Sequence, residues 1–225
     1  MNGFVNVAPA QVADVDGSNP RLVTFDPEQA NQYEFGVKAN LLKDKIAATV
    51  SYYDITVKNR VMGDPENVNS SIQGGEVNSK GYEFSLVASP VSGLNLVAGY
   101  SHNDSEVTKD NPGDGYLGLR PEEAGPSDLV NFWASYTVQA GKLAGLGLGF
   151  GGNYASEYMT LNRATTGTFT LPSYTVLNAA LSYTKSRYSL ILKVDNLTDE
   201  RYWTGWSTVT PQRLRSVSLS LSYKF

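Results

Sequence analysis

Apolar residues fall at every second position of this chain, in nine separate stretches. The last is SVSLSLSYKF, where Val217, Leu219, Leu221, Tyr223 and Phe225 alternate with Ser216, Ser218, Ser220, Ser222 and Lys224. A period of two belongs to a β-strand, whose successive side chains point to opposite faces. The same alternation puts Tyr33, Phe35, Val37, Ala39 and Leu41 on one face, then Ile46, Ala48, Val50 and Tyr52. It recurs in the stretches 82–88, 94–100, 130–138, 146–154, 177–183 and 188–194. No segment carries a 3.6-residue period, so an all-β fold of about nine strands is predicted. The opposite face is small or polar, as at Gly147, Gly149, Asn178, Ser182, Lys193 and Asp195. A soluble β-sandwich would alternate in the same way, so alternation alone leaves that fold open.

The connections discriminate. LKDK, SPVSG, QAGKLAG and TKSR are short, whereas 60–79, 102–127, 155–173 and 197–213 are long. Short and long alternate through all nine strands, which sorts the lengths by end of the sheet. Sandwich loops have no reason to sort. A transmembrane β-barrel of the bacterial outer membrane does, with short periplasmic turns and long extracellular loops. With the C-terminus periplasmic, residues 1–30 are expected to be an extracellular loop segment and 31–225 an antiparallel barrel meander. Nine is odd, whereas single-chain bacterial barrels have even strand numbers. An open arc would also leave unpaired edges in lipid. The chain is therefore expected to be the C-terminal portion of a longer barrel, and to aggregate alone in water through its apolar face and open edges.

Composition agrees with that reading. Hydrophobic residues make up 41% of the 225, yet mean hydropathy is −0.27. No apolar run approaches the ~18 residues of a membrane helix, whereas a membrane strand dilutes its apolar residues one in two. The net charge of −4 argues against nucleic acid as a partner, since that needs a basic face. There is no cysteine, which removes disulfide scaffolds and thiolate metal sites. The opening MNGFVNVAPAQVADVDG has neither the basic start nor the apolar core of a signal peptide.

Four segments, in order, resemble the TonB-dependent outer-membrane receptors, most closely the siderophore receptors. FDPEQANQYEFGVKANLLKDKIAATVSYYDITVKN (25–59) is similar to the family's L-x-P-E-x-x-x-x-Y-E-x-G-x-K stretch, with Phe25 for Leu, and the strand after it. GGEVNSKGYEFSLVASPVSGLNLVAGYSHNDSEVT (74–108) is similar to its G-x-x-x-S-x-G-x-E strand and next hairpin. LPSYTVLNAALSY (171–183) resembles P-G-Y-T-x-x-D-x-x-x-x-Y, with Ser173 and Asn178 as departures. LKVDNLTDERYW (192–203) resembles L-x-V-x-N-L-x-D-x-x-Y, and the closing LSYKF fits the family's terminal strand. The resemblance implies a 22-stranded barrel plugged by an N-terminal domain, with plug and TonB-binding box outside this chain. It implies uptake of a ferric siderophore, or a similar scarce solute, energised through the TonB complex, with the lipid bilayer as the other partner. No enzymatic role and no cofactor are expected. The terminal aromatics Tyr223 and Phe225 resemble the signal read by the barrel-assembly machinery.

Candidate ligand contacts are the aromatic and arginine residues of the long loops: Tyr116, Arg120, Tyr158, Arg163, Phe169, Trp203 and Trp206. Such groups suit a hydroxamate or catecholate chelate. They equally suit loop-to-loop packing or an outer aromatic girdle. No protein ligand to iron is expected, because the metal arrives chelated. His102, beside Asp104, Glu106 and Asp110, is expected to be a solvated loop histidine rather than a metal ligand. In NLTDERY, Asn196 and Asp199 are expected to bond the backbone locally, with Tyr202 at the interface. GLGLGFGGN alternates glycine at strand spacing and opens no helix, so it is not a phosphate loop. A passive porin-like barrel and a soluble β-sandwich binding module stay as alternatives; the ordered motifs disfavour the first and the sorted loops the second.

Overall fold

Aromatic and β-branched residues at alternate positions favour extended backbone. In the computed structural model, which describes residues 3–5, 10–13, 20–23, 25–64, 71–111 and 113–225, that backbone forms sixteen strands. They are β1 (Gly3–Val5), β2 (Ala10–Ala13), β3 (Pro20–Val23), β4 (Glu28–Leu41), β5 (Ile46–Gly63), β6 (Ser71–Ala88), β7 (Leu94–Lys109) and β8 (Asp128–Thr137). There follow β9 (Leu146–Ala155), β10 (Tyr158–Arg163), β11 (Gly167–Leu171), β12 (Tyr174–Lys185), β13 (Tyr188–Asp195), β14 (Trp203–Trp206), β15 (Thr208–Pro211) and β16 (Ser216–Tyr223). Ten make one antiparallel sheet in the order β1-β4-β5-β6-β7-β8-β9-β12-β13-β16. The nine long ones coincide with the nine alternating stretches. The segment expected as a loop, 1–30, also contributes β1, which pairs with residues 28–30, and the β2–β3 hairpin; its other residues up to 19, and residue 24, lie outside the described residues.

Register across the sheet is set by the side-chain pattern, because a one-residue slip would turn every side chain of a strand to the other face. One row crosses all nine long strands: Leu41, Ile46, Ala88, Leu96, Ala134, Phe150, Ala179, Val194 and Val217 are successive partners. Every member is apolar. The neighbouring row on the other face begins Asn40, Ala47, Val87, Val97, Trp133 and Gly151. Among the described residues no second sheet covers the apolar face: Tyr33, Phe35 and Val37 are 71%, 73% and 72% exposed. A sandwich would bury them, so that alternative fails.

Apart from Ala88, at the short-turn end, most of the buried apolar residues among those described gather at one end. Val77 and Val107, partners on β6 and β7, are buried, as are Ala155, Tyr158, Leu171 and Val176. All lie towards the end with the long connections. At the opposite end, Leu42, Lys43 and Asp44 turn the chain with left-handed backbone, at φ 52°, 57° and 64°.

The long connections are more ordered than the sequence indicates. The stretch 60–79 is largely strand, since β5 runs to Gly63 and β6 begins at Ser71; residues 65–70 lie outside the described residues. Each of the two strands has 18 residues, hence roughly 60 Å, against an apolar band of about 25 Å in an outer-membrane barrel. The connection 155–173 holds the β10–β11 hairpin, and 197–213 holds β14–β15. His102 is within β7, not in a loop. Its Nδ1 lies 2.8 Å from Asp128 Oδ1 and its ring stacks on Tyr82 at 5.1 Å. Its partner is thus a carboxylate of the next strand, reached because His102 and Asp128 are register partners, rather than Asp104, Glu106 or Asp110.

The glycines of β9 have a steric reason. A Cβ on Gly149 would lie 2.5 Å from Trp133 Cζ2, and one on Gly151 would lie 2.6 Å from Trp133 Cε3. The indole therefore lies flat against two bare backbone positions.

Candidate functional site

Residues 113–127 fold back along the edge of β7 and reach β5. Leu119 accepts from the Val107 amide, and Val107 accepts from Gly118, both at 2.9 Å, so the loop continues the sheet locally. Asp110 and Asp114 fix its start: Asp110 Oδ2 accepts from the Tyr116 amide at 3.0 Å, and Asp114 Oδ2 from the Gly63 amide at 2.9 Å. Short acidic side chains suit this backbone capping.

Arg120 holds the far side. Its Nη1 donates to the Asn103 carbonyl at 2.7 Å, its Nη2 to Asn103 Oδ1 at 2.9 Å, and its Nε to the Gly125 carbonyl at 3.1 Å. Burial pushes the guanidinium down from its ordinary value, yet arginine stays charged.

Beyond it, Pro121 starts a single 3-10 turn, Glu122–Ala124, which turns Glu122 inward. One oxygen, Oε1, accepts from the Asn162 amide at 3.0 Å and from Arg163 Nε at 3.1 Å. Burial alone would push this carboxyl up; the Asn162 amide, Arg163 and the Trp206 indole together hold it below its ordinary value of 4.5. Arg163 is raised, chiefly by its hydrogen bond to Glu122, and its guanidinium sits 5.1 Å from the Tyr116 ring centre. This is a cation–π contact added to an ion pair.

These groups line a cavity of ≈ 560 Å³, within the range of small-molecule sites. Its walls come from β5, β6 and β7, from the 110–123 segment, from Arg163 and Thr165, and from Trp206. Of the seven residues singled out from sequence, it brings together Tyr116, Arg163 and Trp206. Arg120 is spent on the backbone brace. Tyr158 is buried, and its hydroxyl donates to the Gly205 carbonyl at 3.0 Å and accepts from the Gly205 amide at 3.1 Å, tying the β10–β11 hairpin to β14–β15. Phe169 and Trp203 are exposed on their hairpins, away from the cavity lining.

Sequence reasoning missed Glu122, Asn162 and three ion pairs of the walls. Arg60 Nη2 meets Glu123 Oε1 at 2.7 Å, Lys109 Nζ meets Glu76 Oε2 at 3.0 Å, and Arg163 meets Glu122. The only local signal was RPEEAGP, a proline followed by two acids. The partners lie on other strands and carry no sequence mark. In NLTDERY, Asn196 bonds the backbone locally as expected: 2% exposed, it donates to and accepts from Glu200 backbone at 2.8 Å. The Asp199 side chain reaches further than expected, its Oδ1 accepting at 2.9 Å from the amide of Arg215 beyond the β14–β15 hairpin, and Tyr202 packs on Tyr174 at 4.4 Å.

Residues 2–197 match the family model described as TonB dependent receptor-like, β-barrel. The ferrichrome outer membrane transporter/phage receptor of Escherichia coli K12 is 35% identical over 184 residues, 79% of this chain and 24% of that protein. The ferrioxamine B receptor of Salmonella typhimurium is 32% identical over 200 residues, 86% of this chain and 27% of that protein. Among solved structures, the siderophore receptor PiuA of Acinetobacter baumannii superposes with a TM-score of 0.76 at 25% identity, over 90% of this chain and 29% of that one. The ferripyoverdine receptor of the Pseudomonas aeruginosa outer membrane gives 0.79 over 100% of this chain and 30% of that one, at 20% identity, which bears on fold alone. The chain thus spans about a quarter of the length of the relatives it matches.

Proposed function

Since the chain belongs to the TonB-dependent receptor-like β-barrel family, we propose that it forms part of the wall and outer mouth of an outer-membrane receptor that takes up a ferric siderophore. The observation that carries this reading is the loop-lined cavity of ≈ 560 Å³ at the long-loop end, where Tyr116, Arg163 and Trp206 converge. The relatives support it: one is a ferrichrome transporter and another a ferrioxamine B receptor by name.

The uncovered face carrying the Leu41-to-Val217 row faces lipid in this reading, and the serines and Lys224 of β16 face the lumen. Energy arrives through the TonB complex, which engages a part of the receptor outside this chain. Phe225, whose ring meets that of Tyr223 edge-on at 5.1 Å, marks the terminal strand for the barrel-assembly machinery. Tyr116, Arg163 and Trp206 are the proposed ligand contacts; Phe169 and Trp203 are proposed to meet it only at the rim. The role is reception and transport, not catalysis.

The test is growth of an iron-starved strain that relies on the full-length receptor carrying this chain, fed one ferric siderophore at a time. Growth on at least one, lost when TonB is deleted, is expected. Growth on none, or growth that survives loss of TonB, overturns the proposal.

A further inference from the structure

We propose that the cavity selects ferric chelates of net charge zero or above, the charge type of a tris-hydroxamate, and rejects anionic chelates such as a tris-catecholate; this rests on the receptor function proposed above. Iron(III) bound by three hydroxamates is uncharged, whereas three catecholates leave a charge of −3. The cavity wall must therefore either supply free cations for the second or do without them for the first.

It does without them. All three cations in the described lining are already paired, Arg60 with Glu123 at 2.7 Å, Lys109 with Glu76 at 3.0 Å and Arg163 with Glu122 at 3.1 Å. Two further carboxylates, Asp110 and Asp114, line the same space. Their hydrogen bonds come from backbone amides, which carry no net charge to neutralise them. Five carboxylates against three cations leave two negative charges in excess. An anionic guest would have to break an ion pair to find a partner, stranding a partly desolvated carboxylate, and would face the two aspartates besides. The apolar and aromatic remainder of the lining, Val61, Met62, Tyr116 and Trp206, offers contact surface that suits an uncharged chelate. Selection here works by an unfavourable charge against the wrong guest as much as by contact with the right one.

The experiment titrates the purified full-length receptor carrying this chain, in detergent, with an uncharged ferric tris-hydroxamate and with a ferric tris-catecholate, at low and high salt. The uncharged chelate is expected to bind at least about tenfold more tightly, the order of the repulsion between one charge and a trianion some 9 Å apart in water. Raising the salt is expected to narrow the ratio. Asp110→Asn with Asp114→Asn keeps both acceptor oxygens, so the loop caps survive, and is expected to narrow it by on the order of tenfold. Equal or tighter binding of the trianion, or a ratio that neither salt nor the double variant moves, overturns the charge selection while leaving the receptor function standing. Binding of no ferric chelate overturns both.

Discussion

Glu122 and Arg163 are 41 residues apart in sequence and 3.1 Å apart in space. That contact helps join the 113–127 loop to the β10–β11 hairpin: the Asn162 amide reinforces it on the same oxygen, and Asn162 Nδ2 to the Arg120 carbonyl and the Ala164 amide to the Gly115 carbonyl, both at 2.9 Å, run beside it. Charge-assisted hydrogen bonds at a half-dry site are each worth about 1.5–3 kcal/mol. Glu122→Gln should therefore loosen the hairpin without touching the sheet. Hydrogen exchange on the full-length receptor should speed up in residues 158–171 by roughly tenfold to a hundredfold and stay unchanged in β12 and β13; a uniform change would contradict this local role.

Acid should release the same contact. The Glu122 carboxyl is held below its ordinary value of 4.5, so it binds its proton less readily folded than unfolded. Its contribution is complete above pH 4.5 and is lost as pH falls through the lowered folded value. In the full-length receptor, with Trp133, Trp203 and every tryptophan outside this chain replaced, Trp206 fluorescence should report a transition below pH 4.5, absent in Glu122→Gln. A midpoint at or above 4.5 would show that burial, not hydrogen bonding, governs the group.

Trp133 and Gly149 make the next prediction. A Cβ at Gly149 would lie 2.5 Å from the indole, so Gly149→Val must displace the ring or the strand. Overpacking of this kind costs about 1–3 kcal/mol. Folded barrel, scored by heat-modifiable migration on gels, should fall in Gly149→Val and recover when Trp133→Ala is added. Failure of the second substitution to rescue the first would mean the glycine serves something other than ring clearance.

Side-chain alternation on β8 predicts opposite responses at adjacent positions. Ala134 belongs to the apolar row and Ser135 points the other way. Ala134→Lys should lower folding free energy in lipid vesicles by about 2–4 kcal/mol, the range for a midplane lysine on a lipid face. Ser135→Lys should cost far less. Equal costs would remove the assignment of faces.

The face assignment, and with it the sheet, was readable because a strand writes its two surfaces into alternate residues. Leu41, Ala88 and Phe150 each sit in a period-two stretch, and their alignment in one row follows once neighbours are antiparallel and connections short. The upper reaches of β5 and β6 were not readable. VKNRVMG breaks the alternation around a left-handed Asn59, at φ 60°, where the pairing shifts register between Val57 and Arg60. The cavity was readable only as a pool of loop aromatics and arginines. Arg120 and Tyr158 looked like ligand contacts by residue type, yet their polar groups are consumed by backbone partners at Asn103 and Gly205. Pairings such as Arg60 with Glu123 depend on how a loop folds back, which no local pattern encodes.

The Leu41-to-Val217 row also works as a depth gauge. On β4 the outward apolar residues run from Tyr33 down to Leu41, so Leu41 is their lowest member; on β16 they begin at Val217, their highest. The row joining those two residues crosses eight strand steps while the apolar band slides by the eight residues from 33 to 41. One residue of about 3.4 Å per strand spacing of about 4.8 Å inclines the strands by roughly 35°, at the edge of the range for such barrels. In the proposed outer-membrane placement, hydrogen-bonded neighbours therefore do not share a level in the bilayer. There the row would climb from the inner leaflet at Leu41, through the midplane near Ala134, to the outer leaflet at Val217, so that one line of partners would sample every depth of the membrane.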